Sequence, residues 1–119
     1  MIKLLVIDDD FPTCDFLKSF FSHRGCKVFV ANDGDHAISI IKEERLDIIL
    51  LDVRLPGLSG IEVLQKIKEI DKNPKVIMMS AVDEEVVVEL AMKYGAADYI
   101  TKPFSLEWLE RDVFLKALE

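Results

Sequence analysis

The sequence predicts an α/β domain in which five short strands form one parallel sheet, order 2-1-3-4-5, with five helices on its two faces. Three observations carry that prediction. Short apolar runs, several rich in Val and Ile, recur through the 119 residues and have the length and composition of strands. Longer stretches between them place apolar residues at helical spacing. The five glycines and four prolines all fall between these segments rather than inside them.

The first strand, residues 2–7, runs directly into Asp8, Asp9 and Asp10. Asp10, before Pro12, is placed as the N-cap of a helix whose core stripe is Cys14, Leu17, Phe20 and Phe21. The second strand, residues 28–31, ends at Ala31 and Asn32 and brings little chemistry, as expected of an edge strand. Helix two follows Gly34 with Ala37, Ile38 and Ile41 facing inward. The third strand, residues 46–51, is apolar until Asp52. Beyond Pro56, Gly57 and Gly60, the third helix carries Ile61, Leu64, Ile67 and Ile70. The fourth strand, residues 75–79, leads to Ser80 and Ala81, and the fifth, residues 97–101, leads to Lys102 and Pro103. Strands that are apolar without alternation are buried on both faces, and right-handed crossovers then produce a parallel sheet covered by helices.

The length accommodates a single domain over residues 1–119. A net charge of −7 disfavours contact with nucleic-acid phosphates or anionic membranes. The aliphatic runs are far too short to span a bilayer, and the first is too acidic in its continuation for a secretory signal, so a cytoplasmic location is expected. Cys14 and Cys26 lack metal-ligand spacing and are expected to be reduced core residues.

Ligands of open parallel sheets bind beyond the carboxyl ends of the strands, where strand order reverses. That order sets strands one and three side by side, bringing Asp8, Asp9 and Asp52 to a common centre. Clustered carboxylates repel one another, so either one holds a proton or a cation lies among them. A shallow site with few carboxylates and room for water suits Mg2+ better than Ca2+. Ser80 and Lys102 arrive at the same end of the sheet.

The chain resembles the receiver domains of two-component response regulators, a chemotaxis-regulator-like superfamily with a flavodoxin-like fold. The resemblance rests on Asp8 and Asp9 after strand one, on residues 50–57 (LLDVRLPG) with Gly60 beyond, on Ser80-Ala81, and on Thr101-Lys102-Pro103-Phe104. It implies that Asp52 accepts a phosphoryl group from a phosphohistidine on a sensor histidine kinase or histidine phosphotransfer protein. It further implies that Asp9, Asp52 and the backbone carbonyl of Arg54 hold Mg2+, with Asp8 acting through water. Lys102 would pair with the phosphoryl oxygens and Ser80 would donate to one of them. Movement of Ser80 would open space for Tyr99, the aromatic switch position. Such a domain is a phosphoprotein of a two-component system or phosphorelay that assists its own phosphorylation and dephosphorylation, and is not a turnover enzyme.

Two positions that vary in this family and tune phosphoryl lifetime are Arg54 and Val82. The run Val86, Val87 and Val88 cannot all face one core, and helix five has a core stripe of Leu106, Leu109 and Val113 with Trp108, Leu115 and Leu118 around another side. These features predict a partner surface of Val87, Val88, Tyr99 and Trp108, used for homodimerisation on phosphorylation or for docking an output domain or target protein. Three other classes compete. A phosphorylation-independent binding module has no reason to carry Asp8, Asp9, Asp52, Ser80 and Lys102 together. A small Asp-nucleophile phosphohydrolase would need its Thr one residue earlier than Thr13. A flavin binder would want a Ser/Thr/Gly-rich loop where Asp8 to Phe11 lie.

Overall fold

The computed structural model describes residues 1–81 and 85–119. Its elements are β1 Lys3–Ile7, α1 Phe11–Ser22, β2 Lys27–Ala31, α2 Gly34–Glu43, β3 Ile48–Asp52, α3 Gly60–Ile70, β4 Lys75–Ser80, α4 Glu85–Lys93, β5 Asp98–Thr101 and α5 Leu106–Leu118. The strands are all parallel, in the order β2-β1-β3-β4-β5. This is the flavodoxin-like architecture expected. Strand boundaries move by one or two residues, and both Asp52 and Ser80 belong to their strands rather than following them.

Strand side chains alternate between faces, so the three central strands feed two cores at once. Leu5, Ile7, Ile49, Leu51, Val76 and Met78 pack under α2, α3 and α4, against residues such as Ala37, Val63, Leu64 and Ala91. Leu4, Val6, Ile48, Leu50, Ile77 and Met79 pack on the other face against Leu17 and Phe21 of α1 and Leu109 and Val113 of α5. Every residue of β3 is buried, whereas β2, at the edge, is mostly half-buried. Full burial of one Leu or Ile contributes ~1.5–3 kcal/mol, so this double-sided packing is what holds the strand ends in fixed register.

Capping sets where the helices begin. Asp10 and Asp33 accept from the backbone N–H groups of Thr13 and His36, Ser105 accepts from that of Trp108, and Ser59 and Glu62 form a reciprocal capping box. The Asp10 cap has the role expected of it. Its carboxyl lies below the usual carboxylate range because Thr13 donates to it from both hydroxyl and backbone.

The outer faces of α4 and α5 require corrections. Val88 is buried, at 6% exposure, so it cannot belong to a partner surface. Val88 and Ala91, three residues apart, are the buried residues of α4; Val86 is turned outward at 79%. Val87 is half-buried against the α2–α3–α4 core. On α5, Leu109 and Val113 are buried, but Leu106 is exposed instead of completing the stripe. Trp108 lies half-buried on the α1–α5 core, so much of its ring serves packing.

Candidate functional site

The carboxyl ends of β1, β3 and β5 meet over an open cleft of about 670 Å³, lined by Asp8, Asp9, Asp10, Thr13, Asp52, Arg54, Leu55, Pro56, Ala81 and Lys102. The register that pairs Ile7 with Leu51 brings Asp8 and Asp52 to adjacent strand ends. Asp8 is fully buried: its Oδ1 accepts from the Asp10 backbone N–H at 3.0 Å and its Oδ2 from Lys102 Nζ at 2.8 Å. Lys102 Nζ also reaches Asp52 Oδ2 at 3.4 Å, while Asp52 Oδ1 accepts from the Arg54 backbone N–H at 3.1 Å. Lys102 itself is anchored to the sheet by its backbone N–H, which donates to the Ser80 carbonyl at 2.8 Å.

A single ammonium thus lies between two buried carboxylates, with a third, Asp9, exposed beside them. Burial pushes the Asp52 carboxyl up to about 6; the Arg54 N–H and Lys102 oppose that rise, and neighbouring Asp8 adds to it. Burial acts to lower the Lys102 value, but Asp8 and Asp52 outweigh it and hold the ammonium above its ordinary range. One oxygen from each of Asp8, Asp9 and Asp52 can be drawn from a cluster spanning no more than 4.8 Å. An all-oxygen, anionic donor set opening on a wide cleft fits a hard divalent cation.

The loop below Asp52 admits only glycine at residue 60. Gly60 N donates to the Val53 carbonyl at 3.0 Å, and a Cβ there would stand 2.4 Å from the Asp52 carbonyl oxygen and 2.7 Å from Val53 Cα. Gly57 completes the turn with a left-handed φ of 78°. These two glycines, noted in the sequence as boundary residues, therefore shape the support of Asp52.

Ser80, 2% exposed, faces a different space. With Tyr99, Glu85, Val88, Glu89, Met92 and Thr101 it lines a cavity of about 260 Å³ beside α4, and Ala81 borders both this cavity and the acidic cleft. Tyr99 is half-exposed at its mouth, at 47%. Tyr99 and Trp108 also border a surface groove of about 480 Å³ with Arg111 and Glu107. Val82 lies outside the described residues.

Asn32 is the residue the sequence reading passed over. Its side-chain amide donates to the Asp8 carbonyl at 3.0 Å. The signal was present in the strand order, since pairing of Ile7 with Ala31 places residue 32 beside residue 8.

The profile of the response regulator receiver domain matches residues 4–114. Among solved structures, a two-component response regulator from Clostridium difficile is 28% identical, with a TM-score of 0.94 and coverage of 100% of this chain and 98% of that one. The receiver domain of Francisella response regulator 1452 is 35% identical, with a TM-score of 0.90 and coverage of 99% and 98%. A Saccharomyces cerevisiae response-regulator receiver domain, crystallised with a histidine phosphotransfer signaling protein, is 26% identical, with a TM-score of 0.89 and coverage of 98% and 89%. Sheet order, acidic cluster, lysine and family profile agree, and the chain belongs to the receiver domains of two-component response regulators.

Proposed function

We propose that residues 1–119 act as one receiver unit in which Asp52 is the phosphoryl acceptor. The observation that carries this is the placement of a single ammonium, Lys102, against two buried carboxylates, at 2.8 Å from Asp8 and 3.4 Å from Asp52. A carboxylate oxygen of Asp52 attacks the phosphorus of a phosphohistidine; an O–P bond forms, the P–N bond breaks, and the imidazole nitrogen leaves with the electron pair. The donor is a sensor histidine kinase or a histidine phosphotransfer protein, a choice supported by the partner of the yeast relative.

Phosphoryl transfer spreads charge over three equatorial oxygens, so positioning and charge neutralisation supply most of the catalysis. Asp9, Asp52 and the Arg54 carbonyl, with Asp8 through water, would hold Mg2+, which supplies positive charge to the transferring group. Lys102 turns from Asp8 and Asp52 to the phosphoryl oxygens, and Ser80 donates its hydroxyl to one of them. The 260 Å³ cavity that Ser80 shares with half-exposed Tyr99 then admits the Tyr99 ring, converting a local charge event into a change of surface. Tyr99 and the exposed edge of Trp108, with Met92 of α4 beside Tyr99 in place of Val88, form the face for dimerisation or for an output partner. Arg54, on the cleft wall, and Val82 set the lifetime of the acyl phosphate: a long cationic side chain shields it, and Val82 cannot orient an attacking water. The domain is an acceptor that assists its own chemistry, and it works in the cytoplasm.

Incubation with acetyl phosphate and Mg2+, followed by intact-mass measurement, tests the assignment. Wild type gains one phosphoryl group and Asp52→Asn gains none; an adduct on both proteins, or on neither, overturns it.

A further inference from the structure

The peptide joining the two acids of β1's end is held from outside by side chains of two other elements. Asn32 Nδ2 donates to the Asp8 carbonyl oxygen at 3.0 Å and lies 3.6 Å from Cys14 Sγ. The Cys14 thiol donates to the same carbonyl at 3.2 Å. A carbonyl oxygen has two lone pairs, so that of Asp8 is fully engaged by a donor after β2 and a donor on α1. Its backbone N–H donates to the Ala31 carbonyl at 3.1 Å, and its carboxylate is held by Asp10 N and Lys102.

Because a peptide unit is planar, fixing the Asp8 carbonyl also fixes the direction in which Asp9 leaves it. That matters for Asp9, whose exposed carboxylate has no hydrogen-bond partner among the described residues. Asp8 is oriented through its own side chain; Asp9 is held only through its backbone, by the Asp8–Asp9 peptide on one side and by the Asp10 N–H that donates to Asp8 on the other, which limits the directions its side chain can take. We propose that Asn32 is a positioning residue for cation binding, holding the Asp8–Asp9 peptide so that the Asp9 carboxylate points at the centre shared with Asp8 and Asp52. This inference rests on the Mg2+ assignment above and adds to it a residue that touches neither metal nor phosphoryl group. The Cys14 thiol is the second, weaker holder of the same carbonyl.

Calorimetric titration with Mg2+ alone, on wild type, Asn32→Ala and Cys14→Ala, tests it. Outer partners of metal ligands are worth roughly 10- to 100-fold in affinity; the expected loss for Asn32→Ala is roughly tenfold, with a smaller loss for Cys14→Ala. In acetyl phosphate assays the half-saturating Mg2+ concentration rises by the same factor in Asn32→Ala, while the rate at saturating Mg2+ stays that of wild type. A merely structural role would instead lower the saturated rate. If Asn32→Ala does not fold, Cys14→Ala carries the test, since both donors serve one carbonyl. Wild-type Mg2+ affinity in the variants would overturn this inference alone; absence of Mg2+ binding by the wild-type protein would overturn both it and the assignment on which it rests.

Discussion

The two ends of the sheet are built from the same five strands and treat charge in opposite ways. At the amino end, Lys3 Nζ meets Glu44 Oε1 at 3.5 Å with both side chains about one-third exposed, and the Lys3 backbone N–H donates to Asp47 Oδ2 at 2.8 Å. Each charge there has water and a partner. At the carboxyl end lie Asp8, Asp52 and Ser80, which are the buried polar side chains among the described residues, and one lysine serves two acids. Taking carboxylates out of water costs several kcal/mol unless they are well paired. The amino end avoids that cost; the carboxyl end accepts it, and the proposed phosphoryl acceptor Asp52 is thereby held beside Lys102. The difference separates charge that keeps a protein soluble from charge that is organised to react.

The contrast breaks most sharply at Lys102. Lys102→Ala leaves Asp8 and Asp52 buried together without their shared ammonium. Loss of one charge-stabilising group is worth roughly a hundredfold in rate, and that slowing of phosphorylation by acetyl phosphate is the expected outcome. Without divalent cation the variant also loses ~3 kcal/mol of stability in urea unfolding, and Mg2+ restores part of it.

A smaller effect sharpens the same contrast through pH. The Asp52 carboxyl is raised from 3.8 to about 6 in the native state, so between those values the native protein binds more protons than the unfolded chain. In cation-free buffer stability therefore falls as pH rises through that window. Burial thus acts against the ionised form of Asp52. Asp52→Asn removes this penalty and unfolds at higher urea than wild type at neutral pH, with little difference at pH values below the window. Equal urea midpoints for the two proteins at neutral pH would contradict the burial argument.

The smallest effect belongs to the amino end. Lys3→Ala breaks an exposed ion pair and is expected to change stability by less than ~0.5 kcal/mol, with phosphorylation unchanged. A loss approaching that of Lys102→Ala would erase the distinction between the ends.

How legible the site was depended on the range of the interaction. Asp10 was readable as a cap because capping spans three residues, and Gly60 was marked by its place after Asp52. The cluster of Asp8, Asp9 and Asp52 followed from apolar strand runs together with the switch-point rule. Val88 and Leu106 were misplaced because three consecutive valines, or a leucine in a first helical turn, do not declare which side a neighbouring element covers. Trp108 shows the same ambiguity, since its half-buried ring both packs on the α1–α5 core and borders a groove.

By itself the sequence determined the order of elements, the sheet and the identity of the groups at its carboxyl end, because periodicity and turn chemistry act within a few residues and parallel topology follows simple rules. Only the tertiary structure decided that Lys102 divides itself between Asp8 and Asp52, that Ser80 opens on the Tyr99 cavity rather than the acidic cleft, and that Asn32 holds the Asp8 carbonyl. Those are relations between residues from 19 to 94 positions apart, set by strand register and by which face of each helix the two cores bury.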